Sequence, residues 1–143
     1  MHTNDEHLKK IFDLAVQNHK SNNFDIAEKF YKQVLKENPS HFPSILSLAL
    51  LAAQMKNFNK AKELFEKAIQ IQPNYVAAHN NLGGILVELG DFLGALKAYQ
   101  KAITIDPNHT NAKNNLAVLL RSTQLHRNIQ IKSKNTDLKS LFL

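Results

Sequence analysis

The chain has 143 residues, 43% of them hydrophobic and 21% charged, which is typical of folded proteins rather than disordered ones. It has no cysteine, which excludes disulfides and thiolate metal sites, and no apolar run approaches the ~18 residues of a membrane span. The net charge is +6, but residues 121–143 hold five basic residues against one acidic residue, so residues 1–120 carry only +2, which argues against a nucleic-acid-binding body.

A period of 34 residues organises the sequence. Several residue types recur at this step, including the prolines at 39, 73 and 107 and the alanines at 27, 61 and 95. Such agreement indicates an array of similar units. In chain order we expect an N-terminal extension (1–7), three repeats (8–41, 42–75 and 76–109), a partial fourth repeat or closing helix (110–122), and a divergent basic tail (123–143).

The spacing of apolar residues within each repeat predicts two helices. In repeat one, Ile11, Leu14 and Ala15 form the apolar face of the first helix. The second helix has a similar stripe and ends before the proline, which cannot continue a helix. Between them lies a polar turn with residues suited to cap the second helix, which are Asn23, Asn57 and Asp91.

The fourth unit keeps this register only through its first helix. Its predicted packing face consists of Leu116, Ala117 and Leu120, and the register fails at Leu125, which occupies the capping position. In the tail, Thr136 or Asp137 could cap a short helix with one apolar face, formed by Leu138, Leu141 and Phe142. That face could cover the end of the array, enter a groove of the same chain or of a second copy, or touch a membrane weakly; the simple alternative is a frayed terminus.

These features resemble the tetratricopeptide repeat (TPR) family. Repeat three matches the family signature best, through Leu82, Gly83, Gly90, Ala95, Tyr99, Ala102 and Pro107. Repeats one and two depart from it with Ala15 and Ala49 in place of glycine, and His79 stands where tryptophan is usual. The resemblance implies an all-α fold, an α-α superhelix (solenoid) of three TPR helix pairs plus a closing helix. Within the family, the array looks most like the superhelix of O-linked N-acetylglucosamine transferase-type proteins.

The resemblance also implies that the first helix of each repeat lines a concave groove. The residues predicted to contact a bound peptide there are Asn81, Asn115, Asn80, Asn114, Ser47, Leu46, Leu50, Phe12 and Val16. Because a carboxamide both donates and accepts, Asn81 and Asn115 could pair with a peptide backbone, similar to the asparagine ladder of the transferase superhelix. Alternatively they are solvated, or they cap groups of the chain itself. The apolar residues could hold ligand side chains, or could be covered by the chain's own ends or by a second copy.

The sequence gives little support for a carboxylate-binding, metal-binding or catalytic site. A variant of the family binds a terminal carboxylate with Lys and Arg, but the matching positions hold no cation, being Phe12, Val16, Ser47, Ala77 and Asn81. The seven histidines include no metal-ligand motif; His41 and His109 are predicted linker residues and His79 a packing residue. We therefore expect no metal, no cofactor and no catalytic residue.

The sequence thus predicts a cytoplasmic, non-catalytic scaffold that binds a peptide segment of a partner protein in the concave TPR groove. The alternative is a self-associating or structural TPR module that positions a larger enzyme assembly, such as a transferase. A protein or peptide partner and a possible homo-oligomer are expected, whereas nucleic acid and membrane are not.

Overall fold

The computed structural model describes residues 2–141, without the side chains of residues 2, 125, 129, 133 and 136–141. This part of the chain forms seven α-helices, which are α1 (His2–Lys20), α2 (Phe24–Glu37), α3 (Phe42–Gln54), α4 (Phe58–Ile71), α5 (Val76–Glu88), α6 (Phe92–Ile105) and α7 (Thr110–Leu141). None of these helices, over the residues described, is long and apolar enough to cross a membrane.

The helices pack as consecutive pairs, α1 with α2, α3 with α4 and α5 with α6, and each pair stacks on the next. Alanines at the helix crossings are completely buried and allow the axes to approach closely, at positions 15, 27, 49, 61 and 95. Tyr31, Phe65 and Tyr99 fill the space beside them, all three buried. The predicted all-α superhelix of helix pairs is confirmed.

The turns inside the pairs share one conformation. Asn22, Lys56 and Gly90 take φ values of 60°, 59° and 77°, in the left-handed region that reverses the chain. The three positions are 34 residues apart, so the sequence repeat is also a backbone repeat.

The residue after each of these turns was predicted to cap the next helix, and two of the three do so. The Asp91 carboxylate accepts from the Gly94 amide at 2.9 Å, and Asn57 accepts from the Lys60 amide at 3.4 Å. Asn23 forms no side-chain cap, so the prediction is wrong at that position.

The prolines stop the second helices as predicted. Helices α2, α4 and α6 end at Glu37, Ile71 and Ile105, each two residues before a proline.

Two helices extend beyond the predicted repeats. Helix α1 begins at His2, so residues 2–7, the predicted N-terminal extension, are part of this helix. Helix α7 continues unbroken past residue 122 to Leu141. Gln124 holds the position of the left-handed residues, Leu125 cannot cap a helix, and residues 110–143 contain no Gly or Pro, so nothing there interrupts the helix. A separate tail helix starting at Thr136 or Asp137 is therefore wrong; Phe142 and the side chains of its expected apolar face lie outside the described residues.

The packing face of α7 is also rotated from the prediction. Leu119 is buried against α6, whereas Leu120 is 51% exposed. Leu14, predicted to pack, is likewise exposed, because no helix pair precedes α1 within the described residues. The repeat boundaries themselves stay predictions.

Candidate functional site

The odd-numbered helices form the inner layer of the superhelix. Helix α1 contacts α3, and α5 contacts α7, in addition to the contacts within and between pairs. We call the surface formed by α1, α3, α5 and the first turns of α7 the groove; α2, α4 and α6 form the outer layer.

The first half of the groove contains a cavity of about 560 Å³ where α1, α2 and α3 meet. We call it the groove cavity. It is lined by Val16, His19, Lys20, Asn22, Phe24, Tyr31, Ser47, Leu50 and Gln54. Its volume lies in the range of ordinary ligand pockets, roughly 300–1,000 Å³.

A chain of hydrogen bonds through His19 crosses this cavity. One ring nitrogen, Nε2, lies 2.7 Å from Gln54 Oε1, and the other, Nδ1, lies 3.2 Å from the Tyr31 hydroxyl. Because a carboxamide oxygen only accepts, Nε2 donates to Gln54, which leaves Nδ1 to accept from the Tyr31 hydroxyl. The imidazole thus joins all three helices, with Phe24 packed against it edge to face at 5.9 Å.

Tyr31 anchors this network from the core. Burial raises the pKa of its hydroxyl, and a hydrogen bond with the Ser47 side chain lowers it to a smaller extent. The phenol therefore stays protonated at neutral pH and can donate to His19 while Ser47 donates to the phenolic oxygen. Ser47, predicted as a groove residue, lines the cavity together with Tyr31.

The predicted apolar contact residues divide into two groups. Val16 and Leu50 line the groove cavity, and Leu50 is exposed. Phe12 and Leu46 pack against the core instead and do not line it. The Phe12 ring lies 5.3 Å from that of His41 and 6.0 Å from that of Tyr31, so its main contacts are within the chain.

The second half of the groove carries the predicted amides. Asn115 Nδ2 donates to Asn80 Oδ1 across the α5–α7 contact at 3.0 Å. Asn81 is half-buried and Asn114 exposed. The structure therefore brings together a pair 35 residues apart, whereas the sequence suggested a ladder with a 34-residue step.

The sequence was compared with protein families and with curated protein sequences. The sequence profile described as tetratricopeptide repeat matches residues 42–108. The match spans slightly less than half of the chain, which is similar there to the tetratricopeptide repeat family. No curated protein sequence matches the chain significantly.

Several solved structures share this fold over about four fifths of the chain. The first TPR of Spaghetti (RPAP3), bound to the HSP90 peptide SRMEEVD, is 19% identical with a TM-score of 0.77, over 82% of this chain and 93% of that one. The Yersinia enterocolitica type III secretion chaperone SycD, in complex with a peptide of the translocator YopD, is 14% identical with a TM-score of 0.77, over 82% and 95%. The O-GlcNAc transferase of Thermobaculum terrenum is 25% identical with a TM-score of 0.71, over 79% of this chain but 22% of the transferase.

Two histidines of the repeat array cap helices, a role that the sequence pattern did not indicate. His41 Nδ1 accepts from the Ser44 amide at 3.3 Å, and its pKa is lowered by burial. His109 Nδ1 accepts from the Ala112 amide at 3.1 Å. The signal was present in the sequence, since both precede the first helix of a repeat, but histidine is seldom expected at an N-cap.

The third notable histidine, His79, is buried in the position usual for tryptophan. Its Nε2 lies 2.7 Å from the carbonyl oxygen of Pro73, which it can reach only as a donor. In the described part of the chain, no group of three or more His, Asp or Glu side chains could hold a metal ion.

The outer layer and the helix ends also contribute to the site, which the sequence pattern did not indicate. Phe24 and Tyr31 of α2 looked like core residues alone, and Lys20 and Gln54 fall at the ends of the inner helices. Lys20 is the one charged residue among those that line the groove cavity.

Proposed function

We propose that the protein is a non-catalytic interaction module that binds a peptide segment of another protein in its groove. The observation that carries this proposal is the groove cavity, which combines partly exposed apolar side chains with hydrogen-bonded polar groups. The RPAP3 and SycD structures, which share this fold, contain peptides, and this supports the same use here.

The cavity suits one large apolar side chain of a ligand. Val16, Phe24 and Leu50 provide apolar walls, and removing such surface from water contributes roughly 25 cal/mol per Å². Because His19 already forms hydrogen bonds with Tyr31 and Gln54, covering its ring nitrogens with a ligand costs little desolvation free energy.

The ligand is expected to carry a carboxylate beside that apolar side chain. Lys20 supplies the positive charge at the cavity, and no acidic residue is among those that line it. Such a charge adds specificity and association rate more than affinity.

The amides of the second half would bind the peptide backbone. Asn115 is held by Asn80 at 3.0 Å, so less side-chain entropy is lost when it meets a ligand. Asn81 and Asn114 extend the polar surface, while Phe12 and Leu46 support the apolar end from the core side.

A displayed library of random 12-residue peptides, selected on the full chain, provides the test. We expect selected peptides to carry an apolar residue next to an acidic one, and Leu50→Arg to weaken their binding at least tenfold, about 1.4 kcal/mol. Leu93→Arg is the matched control, because Leu93 is exposed on the outer helix α6. Equal loss in both variants, or in neither, would refute the groove as the binding surface.

The second candidate is a structural TPR segment of a larger assembly, such as a transferase. The likeness to the Thermobaculum terrenum enzyme favours it, and the chain spans about a fifth of that protein. Light scattering after size exclusion distinguishes the candidates: a concentration-independent dimer that Leu50→Arg converts to monomer would favour self-association over peptide binding.

A further inference from the structure

One face of α7 is open where the equivalent face of the earlier repeats is covered. Leu120 is equivalent to Ala52 and Leu86, which the second helices of their own repeats bury to 7% and 6% exposure. Leu120 itself is 51% exposed. Ala117 is only half-buried, although its equivalent Ala49 is completely buried.

The open face exists because α7 does not turn back on itself. In each earlier repeat a left-handed residue reverses the chain, and the second helix then packs on the first. At the equivalent position, Gln124 is helical, and α7 continues without a break to Leu141. The place of a fourth second helix is therefore vacant within the described part of the chain.

The open face continues along α7 beyond the array. Leu120, Gln124, Arg127, Ile131 and Lys134 follow one another at steps of three and four residues, so they share one side of the helix. All five side chains are exposed. We call these residues, with Ala117, the α7 strip; it is about 26 Å long at 1.5 Å per residue, enough to pair with a helix of four to five turns.

This part of the sequence carries positive charges and no negative ones. Residues 110–135 contain five basic residues and no acidic one, whereas residues 1–109 contain twelve basic and eleven acidic residues. The positive charge of the protein is thus concentrated on the helix that carries the open apolar positions. A surface of this kind is complementary to an amphipathic helix with acidic flanks.

We propose that the α7 strip binds an acidic amphipathic helix of another protein, which occupies the place of the missing second helix of the fourth repeat. Leu120 and Ile131 would contact the apolar face of this helix, while Arg127 and Lys134 would pair with its carboxylates. A second copy of α7 is a poor occupant, because it would bring the same basic residues against this strip. The proposal is independent of peptide binding in the groove.

Two synthetic 18-residue helical peptides test the proposal on the full chain. Both carry the same Leu and Ala face, with Glu at the flanking positions in one and Gln in the other. By fluorescence anisotropy at physiological salt, we expect the Glu peptide to bind at least tenfold more tightly than the Gln peptide. Leu120→Asp and Arg127→Glu should each lower the affinity for the Glu peptide at least tenfold.

The controls separate this surface from others. Leu93→Asp and Lys101→Glu change exposed residues of α6 and should leave the affinity within twofold. Leu50→Arg should also leave it unchanged; a loss there would place the peptide in the groove and overturn the proposal. Because Leu120 and Arg127 are exposed, circular dichroism of their variants should match the parent chain.

Three further results would overturn the proposal. The first is equal affinity for the Glu and Gln peptides. The second is a dimer, seen by light scattering, that Leu120→Asp dissociates, since the strip would then pair copies of this chain. The third is tighter binding of an oligouridine than of the Glu peptide, with the same loss in Arg127→Glu.

Discussion

Gly83 of α5 lies directly against the ring of Tyr99 on α6. A Cβ at this glycine would lie 2.6 Å from Tyr99 Cδ1 and 2.9 Å from Cζ, far inside contact distance. The neighbouring Gly84 is different, because its nearest neighbour would be the Tyr99 hydroxyl at an ordinary 3.8 Å. The helix pair of repeat three thus depends on one glycine and not on the other.

We expect Gly83→Ala to destabilise the protein. Overpacking costs roughly 1–3 kcal/mol, and the better helix propensity of alanine returns at most about 1 kcal/mol. Gly84→Ala should be neutral or stabilise by up to about 1 kcal/mol, since it gains the propensity without the clash. Urea unfolding followed by circular dichroism measures both; a Gly83→Ala variant as stable as the parent would contradict the packing described.

Equivalent positions in two repeats should respond differently to loss of the capping side chain. Asp91→Ala removes a bond to the Gly94 amide and should cost about 1 kcal/mol of unfolding free energy. Asn23→Ala should cost less, because Asn23 makes no such bond and instead donates to the Asn18 side chain at 3.3 Å. The same urea titration compares them, and equal losses would show that Asn23 also caps its helix in solution.

His41 should make stability depend on pH. Burial lowers its pKa below the usual 6.5, so the native state takes up a proton there less readily than the unfolded chain. The stability from the neutral ring, which accepts from the Ser44 amide, is fully present above about pH 6.5 and is lost as the pH falls through the lowered pKa.

Two variants of His41 isolate this contribution. His41→Asn keeps an N-cap acceptor and should flatten the decline in unfolding free energy between pH 7 and 5. His41→Ala should also flatten it, but should lower stability at pH 8, where the cap of the parent chain is intact. A decline with the same slope in all three proteins would assign the pH dependence elsewhere.

The groove amides should contribute to affinity and not to folding. We expect Asn81→Ala combined with Asn115→Ala to weaken a selected peptide at least tenfold, about 1.4 kcal/mol. Melting should change little, because Asn81 and Asn115 are only half-buried and one hydrogen bond contributes about 1 kcal/mol. Lys113→Ala, on the same helix, is a suitable control; unchanged affinity in the double variant would refute backbone recognition by these amides.

Local rules sufficed for much of the fold. The 34-residue period predicted the helix pairs, and Pro39, Pro73 and Pro107 marked the ends of the second helices, because both signals depend on residues close in sequence. The sequence also indicates the extension of α7, because Gln124 is not a turn residue. Whether the chain reverses there depends further on whether packing of a second helix against α7 would stabilise the turn.

The site was less predictable because its geometry depends on contacts between helices. The register, together with the family resemblance, placed Val16, Ser47 and Leu50 in the groove, and they line its cavity. The bonds of His19 to Tyr31 and Gln54 join residues 12 and 35 positions apart, which no single helical period indicates. Likewise, the choice of Asn80 over Asn81 as the partner of Asn115 is set by how α7 rotates against α5.

The most direct test of the account is to map a library-selected peptide on the isotope-labelled chain by NMR. The account predicts that amide shift changes concentrate around Val16, Ser47 and Leu50 on α1 and α3, and that they vanish in Leu50→Arg but persist in Leu93→Arg. Changes confined to the outer helices α2, α4 and α6, with full binding by Leu50→Arg, would contradict it.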